Sequence, residues 1–480
     1  MGPRTARLHT KVVCTITPVI NTVDALLALI DAGMNVARLN LAFSDRRYHY
    51  QTLLNIKEAN RLRPNSPCGI IVDLKGSILR TGKFRGAHGV TLAPGQEFTI
   101  VPDSQVEGDS SSVSCAYEHL GKAVKSGMAV HLDHGKLTCE VQGVDEGGIH
   151  MIVKVGGYLG GARTITIPGA QIKMPVITDK DEDDLVNFIL KHNIDYVAIS
   201  GAKTKKDIEK VREILGDKGA HLKVLVKIQN ADALNNFEGI LEACDGVVVT
   251  RKDIALEIAS EKVFLAQKAM ADRCAVSGKM VIISTEILEA REDIGDLLHA
   301  AGIINSVRDG LDAFQLSEET SMGSDPEVAI RHLVTMLAEG EELFAYEHRE
   351  QRALASPPLD LGSVEATCHM AMQAAINVSA RLFIVITDTG YSAIQIAKYR
   401  LGTHILCAST ISATLSQLSL VRSCLSMRLE DGILLEAKMV AALNYAKEHA
   451  LVGSRDKVVM VACESEMESK SGMLRVISID

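Results

Sequence analysis

The sequence predicts an α/β chain: a (β/α)8 TIM barrel interrupted by an inserted β domain and followed by an α/β tail domain. Three observations carry this. Short apolar runs alternate with amphipathic helical stretches on both sides of a long interruption, the pace of parallel strands joined by right-handed crossovers. From about Gly82 to Thr178 that rhythm gives way to glycines and short alternating stretches with no long helical pattern. A break at Ser356-Pro357-Pro358 then sets off a last group of strands and helices.

The elements follow in order. Val12–Ile16 reads as a buried strand, and Thr22 opens a helix that Gly33 closes. Asn35–Leu41 is the next strand, Tyr48–Leu62 a helix stopped by Pro64, and Cys68–Leu74 the third strand. In the interruption, Ala129–Leu132 and Ile149–Val155 alternate as strands. The barrel resumes with strands expected at Tyr196–Ser200, Lys223–Ile228, Gly246–Thr250, Met280–Ser284 and Ala313–Ser317. Helices such as Lys205–Leu215 and Lys262–Val276 separate them. Three strands before the insertion and five after it make the eight that close a barrel. The tail reads as helix Ser363–Asn377, strand Leu382–Thr387, helix Ser392–Tyr399, and strands Ile405–Ala408, Cys424–Leu429, Val458–Ala462 and Met473–Ile479. The expected domains are 1–82 with 179–350 (barrel), 83–178 (β insertion, a lid) and 360–480 (tail).

Composition narrows the function classes. At 480 residues the chain exceeds one ordinary domain, and 47% hydrophobic with 23% charged residues excludes a disordered one. A net charge of -9 argues against nucleic acid as a partner. No apolar run approaches the ~20 residues of a membrane span. Met1–Thr10 carries Arg4 and Arg7 without the apolar core of a signal peptide, so a cytoplasmic location is expected. The ten cysteines form no C-x-x-C pair, which speaks against a zinc site or a disulfide framework.

In such a barrel the reactive groups lie at the C-terminal ends of the strands. Those ends carry Arg38 and Asn40, Asp73 and Lys75 with Arg80 beyond, Lys227 and Gln229, Arg251-Lys252-Asp253, Ser284-Thr285-Glu286, and Ser317-Glu318-Glu319. Taken singly, each is an ordinary loop charge. Gathered at one mouth, the cations point to an anionic ligand and the carboxylates to a bound cation, the mixture that phosphoryl transfer requires.

Several stretches at these positions resemble the pyruvate kinase family. They are Thr10-Lys-Val-Val-Cys-Thr-Ile, Ala32-Gly-Met-Asn-Val-Ala-Arg-Leu-Asn, Asp73-Leu-Lys-Gly-Ser-Ile-Leu-Arg-Thr-Gly, Lys227-Ile-Gln-Asn and Glu261-Lys-Val-Phe-Leu-Ala-Gln-Lys. The likeness runs from about Thr10 to Ile479. It implies transfer of the phosphoryl group of phosphoenolpyruvate to ADP, giving pyruvate and ATP, with Mg2+ (or Mn2+) and K+, in a cytoplasmic tetramer of like or related chains. It further implies roles. Lys227 matches the lysine that stabilises the transferring phosphoryl group and the enolate, Arg38 the arginine that holds that group, and Thr285 the threonine near the proton-donating end. Ser317 joins this catalytic set. Asp253 matches one Mg2+ ligand and Gln229 the position of the other. Asn40, Asp73 and the Leu74 backbone match the K+ position, and Arg80 and Arg163 the nucleotide side. Lys252 falls where a backbone N–H meets the substrate carboxylate.

The departures are equally specific. The family's Lys-Ile-Glu-Asn is Lys227-Ile-Gln229-Asn here, and a neutral amide is a poor ligand for a hard divalent ion. Arg-Gly-Asp-Leu-Gly has become Arg251-Lys252-Asp253-Ile254-Ala255. The metal neighbourhood thus loses one negative charge and gains one positive. Asn-Phe-Ser-His is Asn40-Leu-Ala42-Phe43, without the serine hydroxyl of the K+ site. Ser-Gly-Glu-Thr is Ser317-Glu318-Glu319-Thr320, and a lysine two residues on is Met322. Glu286 replaces a neutral glutamine, so Glu286 or Glu318 is a candidate replacement ligand. In the tail, Thr387-Asp388-Thr389-Gly390-Tyr391-Ser392 resembles a sugar-bisphosphate loop but carries Asp388 in place of lysine, and Glu464–Glu468 is acidic. No activation by a sugar bisphosphate is expected. Three functions remain open: a phosphotransferase of reduced activity, an inactive paralogue with a structural or regulatory role in an oligomer, and a barrel that binds another phosphorylated metabolite, which nothing in the sequence names.

Overall fold

The computed structural model describes residues 7–87, 89–103, 105–170, 172–285, 294–317, 325–347, 361–464 and 471–480. Three strands open it: β1 (Lys11–Thr15), β2 (Val36–Asn40) and β3 (Gly69–Asp73). The insertion supplies β4 (Val90–Leu92), β5 (Glu97–Val101), β6 (Ser112–Ser114), β7 (Ala129–Leu132), β8 (Leu137–Asp145), β9 (Gly148–Val155), β10 (Gly157–Leu159) and β11 (Ile165–Thr166). The chain then returns through β12 (Tyr196–Ile199), β13 (Lys223–Ile228), β14 (Gly246–Thr250), β15 (Met280–Thr285) and β16 (Ala313–Leu316). These five and the first three close a parallel barrel in the order β1-β16-β15-β14-β13-β12-β3-β2.

Local chemistry sets the joints. Thr22 accepts a hydrogen bond from the Ala25 N–H and starts the helix Val23–Ala32. Gly33 ends it at φ +126°, where a Cβ would stand 2.7 Å from Val334. The insertion is mainly antiparallel, its larger sheet ordered β11-β7-β8-β9-β5-β6. Its own core includes Phe98, Ile100, Val130, Val141 and Met151.

Strand alternation divides the barrel's apolar residues into two cores. One parity faces outward: Val12, Ala37, Val72, Val197, Val226, Val249 and Ile283 pack beneath the surrounding helices. The other faces the barrel axis: Val13, Val36, Ile71, Ala198, Leu225, Val248 and Ile282. This inner set is continuous with Val364, Cys368, Phe383, Val385 and Leu418 of the tail, so the two domains share one core.

The tail sheet adds β17 (Leu382–Ile386), β18 (His404–Ser409), β19 (Cys424–Arg428), β20 (Lys457–Glu464) and β21 (Ser471–Ser478), ordered β19-β18-β17-β20-β21. The helices Ser412–Leu418 and Leu435–Glu448 are additional to the sequence reading. The first is rich in Ser and Thr, which favour caps over helix interiors. The second hides its buried face behind small residues, Ala442 and Ala446. The ten cysteines are free thiols, all but Cys463 buried. Among the described residues, no helix is long and apolar enough to cross a membrane.

Polar contacts hold the tail to the underside of the barrel. Lys11 Nζ donates to the Cys424 carbonyl at 2.7 Å, and the Gly69 N–H to Ser419 Oγ at 3.1 Å. Asp195 Oδ2 accepts from the Ile70 N–H at 2.8 Å and Ser416 Oγ at 2.7 Å. Burial pushes the Asp195 carboxyl up to about 7, and the Ser416 hydroxyl and Ile70 N–H only partly oppose it. A folded-state value above the ordinary carboxyl value of 3.8 means the folded chain holds the proton more tightly. The stabilisation is full below pH ~4 and is lost as pH rises through about 7, a swing on the order of a few kcal/mol. Asp195→Asn is expected to flatten this dependence, gaining thermal midpoint relative to the parent between pH 5 and 8. Parallel midpoint–pH curves for the two proteins would exclude it.

Candidate active site

The inward parity that is apolar low in the barrel turns polar at the C-terminal strand ends. On β2, Arg38 Nε donates to Asp73 Oδ2 at 3.0 Å, and Nη2 reaches the same oxygen. Arg38 Nη1 donates to Thr15 Oγ1 at 2.9 Å, and that hydroxyl in turn donates to the Leu316 carbonyl at 2.9 Å. From β13, Lys227 Nζ donates to Asp73 Oδ2 at 3.2 Å and to Ser200 Oγ at 3.3 Å. Ser200 Oγ donates to Asp73 Oδ1 at 3.2 Å. Asp73, 1% exposed, is the hub. Burial alone would push its carboxyl up, but the Lys227 and Arg38 charges outweigh that and hold it below the usual range. Two fixed cations share one carboxylate, leaving one positive charge in excess within this cluster. That arrangement attracts an anion.

A second group lies beside it. Asp253 sits in the first turn of the helix Arg251–Glu257, which begins directly after β14. Gln229 Nε2 donates to Asp253 Oδ2 at 2.9 Å, and the Gly201 N–H donates to Gln229 Oε1 at 3.1 Å. The amide is therefore oriented with its N–H toward Asp253. The other carboxylate oxygen, Oδ1, meets His134 Nδ1 at 2.8 Å. Burial raises the Asp253 carboxyl, but the His134 and Gln229 hydrogen bonds and the Lys227 charge bring it below the usual range. Lys252 is exposed, so its charge acts through a water-like dielectric. Arg251 lies over the Phe264 ring at 5.7 Å.

These residues do not fit Mg2+. Both Asp253 oxygens already receive N–H donors, and Gln229 presents a donor where a hard cation requires oxygen. Among the described residues, no group of three His, Cys, Asp or Glu side chains is placed to hold a metal. The K+ position is altered too. Asn40 Oδ1 accepts from the Ala42 N–H at 3.1 Å, and Ala42 brings no hydroxyl.

Of the remaining expected residues, Arg80 and Arg163 lie on adjoining segments where the insertion leaves the barrel. Arg80 Nη1 donates to the Ala162 carbonyl at 2.9 Å, with the guanidinium 5.4 Å above the Phe43 ring. Arg163 lies 3.6 Å from Asp133 within the insertion. Ser317 follows β16 at the mouth and is half-buried. The Thr285 side chain, Glu286, Glu318, Met322 and the segment 465–470 lie outside the described residues. In the tail turn, the Gly390 N–H donates to Thr387 Oγ1 at 2.8 Å and the helix Tyr391–Ala397 follows, with Asp388 exposed.

Sequence reasoning missed three participants. Thr15 and Ser200 lie at strand ends and carried no charge to mark them. His134 lies 119 residues from its partner Asp253. Its only signal was Asp133-His134-Gly135, a turn between two alternating stretches.

A cation-rich mouth on a barrel with a β insertion and an α/β tail defines a class of anion-binding α/β barrel architecture. Comparison with known proteins makes it specific. The family model for the pyruvate kinase barrel domain matches residues 7–330, and that for the pyruvate kinase alpha/beta domain matches 365–477. A pyruvate kinase of Eimeria tenella is 34% identical over 477 residues, covering 98% of this chain and 90% of the relative. A crystal structure of Cryptosporidium parvum pyruvate kinase superposes with a TM-score of 0.89 at 32% identity, covering 99% and 98% of the two chains. A structure of the Cryptosporidium parvum pyruvate kinase in complex with ADP gives the same TM-score over 98% and 96%. The chain belongs to the pyruvate kinase family.

Proposed function

We propose that this chain is a phosphotransferase acting on phosphoenolpyruvate and ADP to give pyruvate and ATP, with turnover reduced by loss of its divalent-cation site. The observation that carries the reading is the Arg38–Asp73–Lys227 cluster: a buried and a half-buried cation held on one carboxylate, with positive charge in excess. Arg38 binds the phosphoryl oxygens. Lys227 stabilises the charge that develops on the phosphoryl group and on the enolate oxygen. Asp73 positions both cations, Ser200 holds Lys227, and Thr15 holds Arg38. Arg80 and Arg163 serve the nucleotide side once they leave their present partners. The family uses Mg2+ and K+. With one carboxylate where two are needed Mg2+ binds weakly here, and without a hydroxyl at Ala42 so does K+. The ten free thiols suit a reducing, cytoplasmic setting, and the family likeness favours a tetramer.

A second reading has its own observation. Asp253 is engaged by two protein donors, as it would be in an inactive paralogue retained for assembly. Assay of pyruvate formation with Mg2+ or Mn2+, with and without K+, separates the two. Slow turnover that Lys227→Met lowers at least 100-fold supports the first. No turnover by the parent under any ion condition establishes the second.

A further inference from the structure

The tip of the insertion reaches the barrel at one polar point. β7 and β8 are joined by Asp133-His134-Gly135-Lys136, and the first three adopt positive φ of 49°, 54° and 85°. Two of them are not glycine, so the backbone there is held in a costly conformation. The fold holds it with several contacts. The Asp133 N–H donates to the Thr164 carbonyl at 3.0 Å, the His134 N–H to Thr164 Oγ1 at 2.9 Å and the Lys136 N–H to the Asp133 carbonyl at 3.2 Å. Lys136 and Arg163 flank the Asp133 carboxylate at 3.4 and 3.6 Å. Gly135 lies so close to the barrel helix that a Cβ on it would stand 2.7 Å from Leu256. The result of this strained turn is to aim the His134 imidazole at Asp253, across the gap between the domains.

We infer that His134, Asp253 and Gln229 form a cation-independent clasp that holds the β insertion shut over the barrel mouth. The Asp253 carboxylate is the shared group. Gln229 donates to one oxygen from the barrel side, and His134 engages the other from the insertion. The Gly201 N–H fixes the amide so that only its donor end faces Asp253. A divalent ion at this position must displace an imidazole and turn an anchored amide. The clasp and the ion therefore compete for one carboxylate. The contact needs only an N–H on Nδ1, which the neutral Nδ1–H tautomer and the imidazolium both supply. It does not rest on the chain being a working phosphotransferase, since an inactive paralogue would close in the same way.

The test uses the full-length chain without added metal. Small-angle scattering reads closure of the insertion, and hydrogen exchange reads the amides of 132–137. His134→Ala and, from the other side, Asp253→Ala are each expected to expand the molecule and speed exchange at 132–137 at least tenfold. Exchange in the β8–β9 ladder should stay unchanged, which shows that the insertion remains folded. Mn2+ binding, read from the paramagnetic resonance of free Mn2+, should tighten several-fold in His134→Ala. Closure retained in either variant would overturn the clasp. So would weaker Mn2+ binding in His134→Ala, because the imidazole would then be a ligand and not a competitor.

Discussion

Gln229→Glu combined with Lys252→Gly is expected to tighten Mg2+ binding by about 10²- to 10³-fold. Gln229 Oε1 already accepts from the Gly201 N–H, so a glutamate keeps that bond and turns its second oxygen toward Asp253. Two carboxylates so close cannot both stay ionised without a counter-ion. Either one takes up a proton or the pair captures a cation, and a divalent ion bridges them best. In a partly shielded site one added charge at ~4 Å from a divalent ion is worth about 8 kcal/mol, about half of which is offset by dehydration of the ion. Lys252 is exposed, so its removal adds only ~1 kcal/mol. Calorimetric titration with MgCl2 checks the order as well as the size: Gln229→Glu alone should supply most of the gain. An unchanged dissociation constant in the double variant would show that Asp253 is not part of a latent metal site.

The largest loss of stability is expected at Asp312, far from the mouth. Its two oxygens accept from Arg400 Nη1 and Nη2, each at 2.6 Å, in a pair whose side chains are 3% and 2% exposed. The backbone N–H groups of Arg422 and Val281 donate to the same carboxylate at 3.1 and 3.0 Å. Asp312→Ala strands the Arg400 charge and both N–H groups where water cannot reach them. The expected cost is about 3–5 kcal/mol, seen as a thermal midpoint lowered by several degrees. Asp312→Leu with Arg400→Met removes both charges together and should recover the part of the loss due to the stranded guanidinium, while the Arg422 and Val281 N–H groups stay unpaired. A midpoint in Asp312→Ala equal to that of the parent would show the pair to be dispensable.

The contrast between these two sites explains what could be read from the sequence. The barrel strands were legible because each is a short apolar run between helical stretches. Lys223–Ile228 and Gly246–Thr250 are strands over the spans the pattern marks. The mouth was legible as a set of charges at strand ends, and Arg38, Asp73 and Lys227 do come together there. What stayed hidden depends on tertiary geometry. No periodicity brings His134 to Asp253, because only the pairing of β7 with β8 and the return of the chain into the barrel fix that distance. The orientation of the Gln229 amide was hidden for the same reason. It is set by the Gly201 N–H on a neighbouring loop, so the substitution of Glu by Gln alone could not tell a weak ligand from a donor. The Asp312–Arg400 pair joins two domains that appear separate along the chain.

That joining changes what the Ser356-Pro357-Pro358 break divides. Val13, Ile71, Ala198, Leu225 and Ile282 line the lower barrel axis, and they belong to the same apolar cluster as Phe383, Val385 and Leu418 of the tail. The tail is thus the floor of the barrel, closing from below a cylinder whose upper end the β insertion covers. A linker marks where the chain crosses from one topology to the other, but it is no seam in cooperativity. The lower barrel and the tail are therefore expected to unfold in one transition, since a barrel separated from the tail would expose its own interior to water.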